Sequence, residues 1–396
     1  MTTPRRLLIS ASLFHGLNDA ATVAIPMVFP ILYGQQTIIQ RYSQIGLLSN
    51  FGLLTTFLFQ ILIVHAARRW DYRLVHAWSF LGISLSLVLI PLSSSYLLLF
   101  SLWLLFRVFV SFYHTLGMAW VARTHPRQGI DFAMGIQSGS GNLGVVLAFI
   151  SVGVLAQSFD WQTSLRTWAA VCFVLGVVSF LLVRNMPFER DVDHRLDLAS
   201  WLQTIRRIRH VIIGFLFGGA SWGVTVYFAP SLLHHKFDIS MGRTGFFLAL
   251  WIGIGTVMTY LFGPLSRKFG RIRVYRASFS GAAVSLLVIG VAGRTGVAVF
   301  GLCLFGIFLF LIYPALQSFV GNAVPARNQS QAFGFAANLS MVSGALISLL
   351  AGFLSDHFGI SSPFLVLGGL GTVAFALSVL VYAPPDRYGP AAQVQD

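Results

Sequence analysis

The sequence predicts an all-α polytopic membrane protein: twelve transmembrane helices arranged as two pseudo-symmetric six-helix bundles. Three observations predict this: an apolar composition, twelve apolar stretches of membrane length, and an internal repeat. Of 396 residues, 56% are hydrophobic and only 10% are charged, whereas a soluble domain carries about 25% charged residues. Mean hydropathy is +0.78. The 38 glycines and 36 phenylalanines suit helix packing in lipid, where small residues let backbones approach and rings fill the gaps. The net charge of +14 does not point to nucleic acid, because the basic residues fall in short loops beside apolar spans. Membrane topology and anionic lipid headgroups account for them.

The spans read as 7–33, 44–66, 73–91, 96–121, 131–157, 163–184, 209–234, 243–264, 272–292, 296–321, 330–355 and 361–383, against the roughly 20 residues a crossing requires. No cleavable leader is read at Met1–Arg6, since the apolar stretch that follows is long enough to stay in the membrane. Cys172 and Cys303 both fall inside spans, so neither a disulfide framework nor a zinc site is expected. With the N-terminus in the cytoplasm, Arg5/Arg6, Arg68/Arg69/Arg73, Arg123/Arg127, the Arg184–Arg209 linker, Arg267–Arg276, Arg327 and Arg387 all lie on that side. Only Arg41, Arg166, Lys236, Arg243 and Arg294 lie opposite. The excess of Lys and Arg in cytoplasmic loops makes this the expected orientation, with both termini cytoplasmic.

The sixth and seventh spans are separated by the long polar segment Asn185–Arg209. Leu198, Trp201, Leu202, Ile205 and Ile208 recur at three- and four-residue spacing, which predicts a short helix on the cytoplasmic membrane face. The expected division is therefore 1–184, a linker at 185–208, and 209–396. The repeat supports it. Gly263-Pro-Leu-Ser-Arg-Lys-Phe-Gly270-Arg271 occupies the place of Val64-His-Ala-Ala-Arg-Arg-Trp-Asp71-Tyr72, an offset of 199 (263 − 64). Gly352–Gly359 matches Gly153–Asp160 at the same offset (352 − 153). Parallel duplication of this kind builds many secondary transporters, with the substrate held between the halves.

Within the first span, Asp19 sits near the centre, with His15, Asn18 and Thr22 on the same helical face. An aspartate at mid-bilayer costs on the order of 3 kcal/mol, so that face meets protein or water. Arg107 lies near the centre of the fourth span, followed by Ser111 and His114 on its face. Counting inward from the helix ends puts Asp19 and Arg107 at the same depth, where an ion pair lowers the cost of each charge. A purely structural staple between two helices is the plainer alternative. Polar residues elsewhere, Asn50, Gln60, Gln137, Asn142, Thr225 and Asn338, read as packing hydrogen bonds. His234-His235 lacks the acidic support of a metal site.

The chain resembles the major facilitator superfamily along essentially its whole length. Gly263–Arg273 is similar to that superfamily's loop signature, with Arg267 where an acidic residue is usual; the first copy has Val64, Arg68 and Asp71 at the corresponding places. Phe14-His-Gly-Leu-Asn-Asp19, with Pro26 and Pro30, and Tyr113-His-Thr-Leu-Gly117 resemble the fosmidomycin-resistance type of efflux protein, with Thr115 where proline is usual. Arg107 resembles the fourth-helix arginine of drug/proton antiporters. The glycines at 135, 139, 141 and 144 resemble the fifth-helix glycine motif of antiporters, without its proline. The resemblance implies that the first, fourth, seventh and tenth helices line a cavity and that the two loop copies gate it.

The expected function is then secondary active transport of a small organic molecule or drug by alternating access, coupled to protons and directed outward. Proton-coupled uptake of an organic anion is the alternative. Intramembrane enzymes and channels are more distant ones: no His-Glu-x-x-His pair, aspartate dyad or phosphate-binding loop is present. The proton-coupling candidates are Asp19, Arg107, His15 and His114. The substrate-binding candidates are Arg107, Asn18, Thr22, Ser111, Trp222, Tyr313 and Gln317, and the gating candidates are Arg68, Arg69, Asp71, Arg73, Arg267, Gly270 and Arg271. No cofactor and no metal is expected. The partners are the solute, protons and membrane lipid, with no nucleic acid, for a monomer in a bacterial plasma membrane.

Overall fold

A computed structural model describes residues 3–66, 70–124, 130–186, 202, 205–206, 209, 212–323 and 329–381. Among these, twelve helices are long and apolar enough to cross a membrane. They are α1 (Thr3–Gln35), α2 (Tyr42–Ala66), α3 (Tyr72–Leu89), α4 (Tyr96–Thr124), α5 (Ile130–Ser158) and α6 (Trp161–Val183), then α7 (Ile212–Ser231), α8 (Met241–Phe269), α9 (Arg271–Val291), α10 (Thr295–Ala323), α11 (Gln329–Phe358) and α12 (Ser362–Val381). No strand occurs among the described residues. Several helices overrun the expected spans: α1 begins four residues earlier than its apolar stretch and ends two later. Arg68 and Arg69 lie outside the described residues, as does the linker's expected helix apart from Leu202, Ile205, Arg206 and Arg209.

Helix starts are set by local chemistry. Asp71 caps α3, its Oδ1 accepting from the Arg73 amide at 2.9 Å, and Asp160 caps α6 by accepting from the Thr163 amide at 2.5 Å. Each satisfies a backbone donor that the helix itself leaves unpaired. At the corresponding places before α9 and α12, the chain instead turns at Gly270 (φ 87°) and Gly359 (φ 84°), a conformation that a side chain disfavours.

The described chain forms two compact units. The first comprises Met1–Asp193 with Val226–Gly253, and the second His194–Thr225 with Ile254–Asp396. In the first, α1 packs most extensively on α5 and also meets α4 and α6. Glycine makes the α1–α5 crossing close: a Cβ on Gly144 would run into the Gly16 carbonyl, and one on Gly16 would lie 2.9 Å from the Ser140 carbonyl oxygen. On its α6 side, α1 is tied by paired serines, Ser10 Oγ donating to the Ser179 carbonyl (2.9 Å) and Ser179 Oγ to the Ser10 carbonyl (3.0 Å). In the second unit, α9 packs on α10 and α12, and α7 crosses α11 at Gly219, where a Cβ would strike the Ser340 carbonyl. Ser340 Oγ and Ser343 Oγ fasten that crossing to the Phe215 and Leu216 carbonyls at 3.0 and 2.7 Å.

Candidate functional site

Asp19 is the centre of a cluster built by α1, α4 and α5. His15 stands one turn before it on α1, and its Nε2 lies 3.0 Å from Asp19 Oδ2. His114 approaches from α4, with Nε2 3.2 Å from Asp19 Oδ1. Asn18 Nδ2 donates to the same Oδ1 at 3.3 Å. From α5, the backbone carbonyl of Gln137 meets His15 Nδ1 at 2.8 Å. The Tyr113 ring stacks on His15 at a centroid distance of 4.7 Å, and its hydroxyl accepts from Gln137 Nε2. Gly141 closes the site: a Cβ there would sit 2.7 Å from His15 Nε2 and 2.8 Å from Asp19 Oδ2. The glycine expected to serve helix packing thus also makes room for the His15–Asp19 link.

This geometry fixes where a proton must be. A carbonyl only accepts, so His15 Nδ1 donates to Gln137. In neutral His15, Nε2 would then be a bare lone pair facing the lone pairs of Asp19 Oδ2. Two acceptors 3.0 Å apart repel unless a proton lies between them, carried either by an imidazolium or by a carboxylic acid. The second link needs its own proton, which a neutral His114 supplies from Nε2. His114 is the open member, its side chain 40% exposed, against 23% for Asp19 and 10% for His15. All three donor atoms lie within 4.8 Å of one another, so the set could also hold a divalent ion. The match of each carboxylate oxygen to one imidazole nitrogen is the arrangement of two hydrogen bonds.

The expected Asp19–Arg107 pair is not formed. Both Asp19 oxygens are engaged by histidines, and Arg107 lies elsewhere, 3% exposed. Its Nε donates to the Gly52 carbonyl on α2 at 3.1 Å, and its guanidinium carbon stands 5.5 Å from the Trp103 ring centre. The physical reason is helix length. Asp19 lies 16 residues before the end of α1 at Gln35 (35 − 19), whereas Arg107 lies 11 after the start of α4 at Tyr96 (107 − 96). At about 1.5 Å per residue the two levels differ by roughly 7 Å. His114, 18 residues in (114 − 96), comes to the level of Asp19.

Other candidates make local bonds. Thr22 Oγ1 donates to the Asn18 carbonyl (2.9 Å) and Ser111 Oγ to the Val108 carbonyl (2.6 Å), each within its own helix. In the second unit, Trp222 packs edge-on to Phe310 (6.2 Å), Tyr313 lies against Gly218, and Gln317 is exposed. Among the loop residues, Arg73 pairs with Asp71 (2.5 Å) and donates to the Arg184 carbonyl (3.0 Å). Hydrogen bonds from the Arg73 guanidinium hold the Asp71 carboxyl below the usual carboxylate range. Arg271 reaches Ser318 Oγ (2.8 Å) and lies over the Phe319 ring, while Arg267 is exposed. His234 and His235 bond the Ile239 and Pro30 carbonyls, both within the first unit. Gly52 and Trp103, which hold Arg107, carry no pattern that separates them from other glycines and aromatics in the spans. Tyr113 opens the stretch Tyr113-His-Thr-Leu-Gly117, but only the fold shows that it stacks on His15.

The profile described as the Major Facilitator Superfamily matches residues 8–348 and 213–395. The nitrite extrusion protein of Bacillus subtilis is 21% identical over 192 residues, 47% of each chain. The multidrug resistance protein MdtG of Escherichia fergusonii is 27% identical over 214 residues, 49% of this chain and 46% of that one. The chain thus spans about half the length of these curated relatives. The crystal structure of a bacterial homologue of the human lysosomal transporter Spinster, inward-facing and occupied, superposes with a TM-score of 0.83 at 15% identity, covering 96% of this chain and 97% of that one. At that identity the likeness speaks for the fold.

Proposed function

The chain belongs to the Major Facilitator Superfamily, and on that premise we propose that it is a proton-coupled secondary transporter that exports a small organic molecule by alternating access. The observation that carries the coupling is the His15–Asp19–His114 cluster. Two imidazoles from two helices share one carboxylate inside the span region, one on each oxygen, and ionisable groups placed there are functional by default. The links hold protons that move when α1 and α4 shift relative to each other. In one arrangement Asp19 is an anion between two donors. When His114 withdraws, the carboxylate keeps a single partner and takes up a proton to remain neutral in an apolar setting. Alternation between the two states binds and releases a proton on opposite sides. Export is the direction named in the nitrite extrusion protein of Bacillus subtilis. Arg73, Asp71, Arg267, Gly270 and Arg271 would gate the cavity, in a monomer whose termini are both cytoplasmic in a plasma membrane.

The test uses inside-out vesicles holding an acid-inside proton gradient, followed with a pH-sensitive dye. Adding a transported solute should collapse the gradient in proportion to the amount of protein, because the solute enters the lumen as protons leave. A solute that accumulates without altering the gradient would remove the coupling. One that is expelled as protons leave would reverse the direction. For orientation, cysteine at exposed Ser94 should be labelled by an impermeant reagent from outside intact cells; labelling only after permeabilisation would invert the topology.

A further inference from the structure

We propose that Arg107 anchors an anionic head group, a carboxylate, phosphate or phosphonate, on the transported solute, which makes this protein a carrier of small anions. The proposal rests on the transporter reading above and is independent of proton coupling. Arg107 is a buried cation with no carboxylate paired to it among the described residues: its Nε is spent on the Gly52 carbonyl, and its buried Nη1 has no hydrogen-bond partner. Asp19 is engaged by two histidines at another level. A carbonyl and an indole face lower the cost of a buried charge without neutralising it, and an ion left unpaired inside a protein favours a counter-ion.

The surroundings are built to hold the guanidinium in that position. Trp103 Nε1 donates to the Leu48 carbonyl (2.6 Å), which fixes the indole beneath Arg107. Gly52 allows this, since a Cβ there would collide with the Trp103 ring. The Tyr227 ring braces Trp103 edge-on at 6.3 Å. A guanidinium locked in this way, with an N–H unspent, is pre-organised for the planar fork of a carboxylate or phosphonate.

The second unit shows that the crossing itself does not require a charge. Thr56 Oγ1 reaches the Gly52 and Arg107 carbonyls (3.1 and 3.4 Å). In the second unit Thr259 Oγ1 reaches the Gly255 and Phe310 carbonyls (3.2 and 3.3 Å). The same helix contact is made there with phenylalanine at the position Arg107 occupies. Packing therefore does not explain the arginine, and a ligand of opposite charge does.

The experiment measures thermal unfolding of the full-length protein in a neutral detergent free of lipid. The probes are benzoate, glucuronate and phenylphosphonate, each set beside a neutral counterpart (benzamide, glucose, benzyl alcohol). At least one anion should raise Tm while its neutral counterpart does not, in both wild type and Asp19→Asn. Arg107→Gln should lose the shift, and Arg107→Lys should need about tenfold more anion, because the fork is lost. Arg107→Phe, which copies the second unit, serves as the folded variant if Arg107→Gln does not assemble. The proposal fails if no anion shifts Tm, if neutral counterparts stabilise equally, or if the Arg107 variants respond like wild type. Stabilisation by phosphatidylglycerol and by none of the free anions would make the counter-ion a lipid and also overturn it. Anion binding that survives in a protein showing no proton coupling would separate this proposal from the preceding one.

Discussion

The two units use the same framework for different contents. In the first, α1 crosses α5 where Gly16 meets the Ser140 carbonyl; in the second, α7 crosses α11 where Gly219 meets the Ser340 carbonyl. Thr56 and Thr259 make the same pair of hydrogen bonds at an offset of 203 (259 − 56). At that offset Asp19 corresponds to Trp222, His15 to Gly218 and Arg107 to Phe310. Trp222 and Phe310 then pack ring against ring, whereas Asp19 and Arg107 stay apart. Duplication preserved the contacts that close the helix crossings, while the carboxylate, guanidinium and imidazole groups at mid-helix are in the first unit among the described residues. Backbone approach is what the fold requires, and charge is what the first unit adds to it.

Breaking the shared framework should have the largest effect. Gly144→Val and Gly219→Val each push a side chain into a facing carbonyl, and overpacking of this kind costs about 3 kcal/mol. Both variants should fail to give a monodisperse protein in gel filtration. A well-folded Gly219→Val would show that the two crossings are not equivalent.

The next effect separates the two contents. Gly141→Ala places a methyl against both His15 Nε2 and Asp19 Oδ2 and should lower proton-coupled transport about tenfold, the loss of one charge-assisted hydrogen bond, with the fold retained. Gly218→Ala meets Tyr313 at an ordinary 3.4 Å and should leave transport near wild type. Equal losses in the two variants would mean that the cluster has no special role.

Such distinctions were only partly legible in the sequence. The twelve helices and the duplication follow from composition and repeated loops, because lipid permits few alternatives to a helix of some 20 apolar residues. The face holding His15 and Asp19 followed from the i, i+4 spacing. Its partner did not. The edges of the apolar runs misplace depth, because α1 and α4 extend through polar and basic residues at their ends, and an error of a few residues moves a side chain by a full turn. The Gln137 carbonyl that orients His15 leaves no trace in residue type, since every residue carries one. Gly52 and Gly141 matter for what a Cβ would strike, which only the folded chain reveals.

A smaller effect distinguishes the helix starts. Asp71 and Asp160 cap α3 and α6, and Gly270 and Gly359 replace them before α9 and α12. Each substitution to alanine should cost about 1 kcal/mol, through a lost cap in the first unit and a strained φ in the second. The pH dependence should differ. Both aspartates are held below the usual carboxylate range, Asp71 by the Arg73 guanidinium and Asp160 by the Thr163 amide. Their contribution is present above the unfolded value near 3.8 and fades as pH falls through the lower folded value. Asp71→Ala should therefore flatten the acid limb of a Tm–pH profile, and Gly270→Ala should shift the whole profile without changing its shape.

In the proposed mechanism the proton is carried by the cluster around Asp19 and not by the framework that both units share. Asp19→Asn keeps the shape and the contacts to His15 and His114 while removing the titrating group. In proteoliposomes it should abolish solute movement against its gradient under an imposed pH difference and leave solute-for-solute exchange measurable. If Asp19→Asn still drives solute uphill on the proton gradient, the coupling site lies elsewhere.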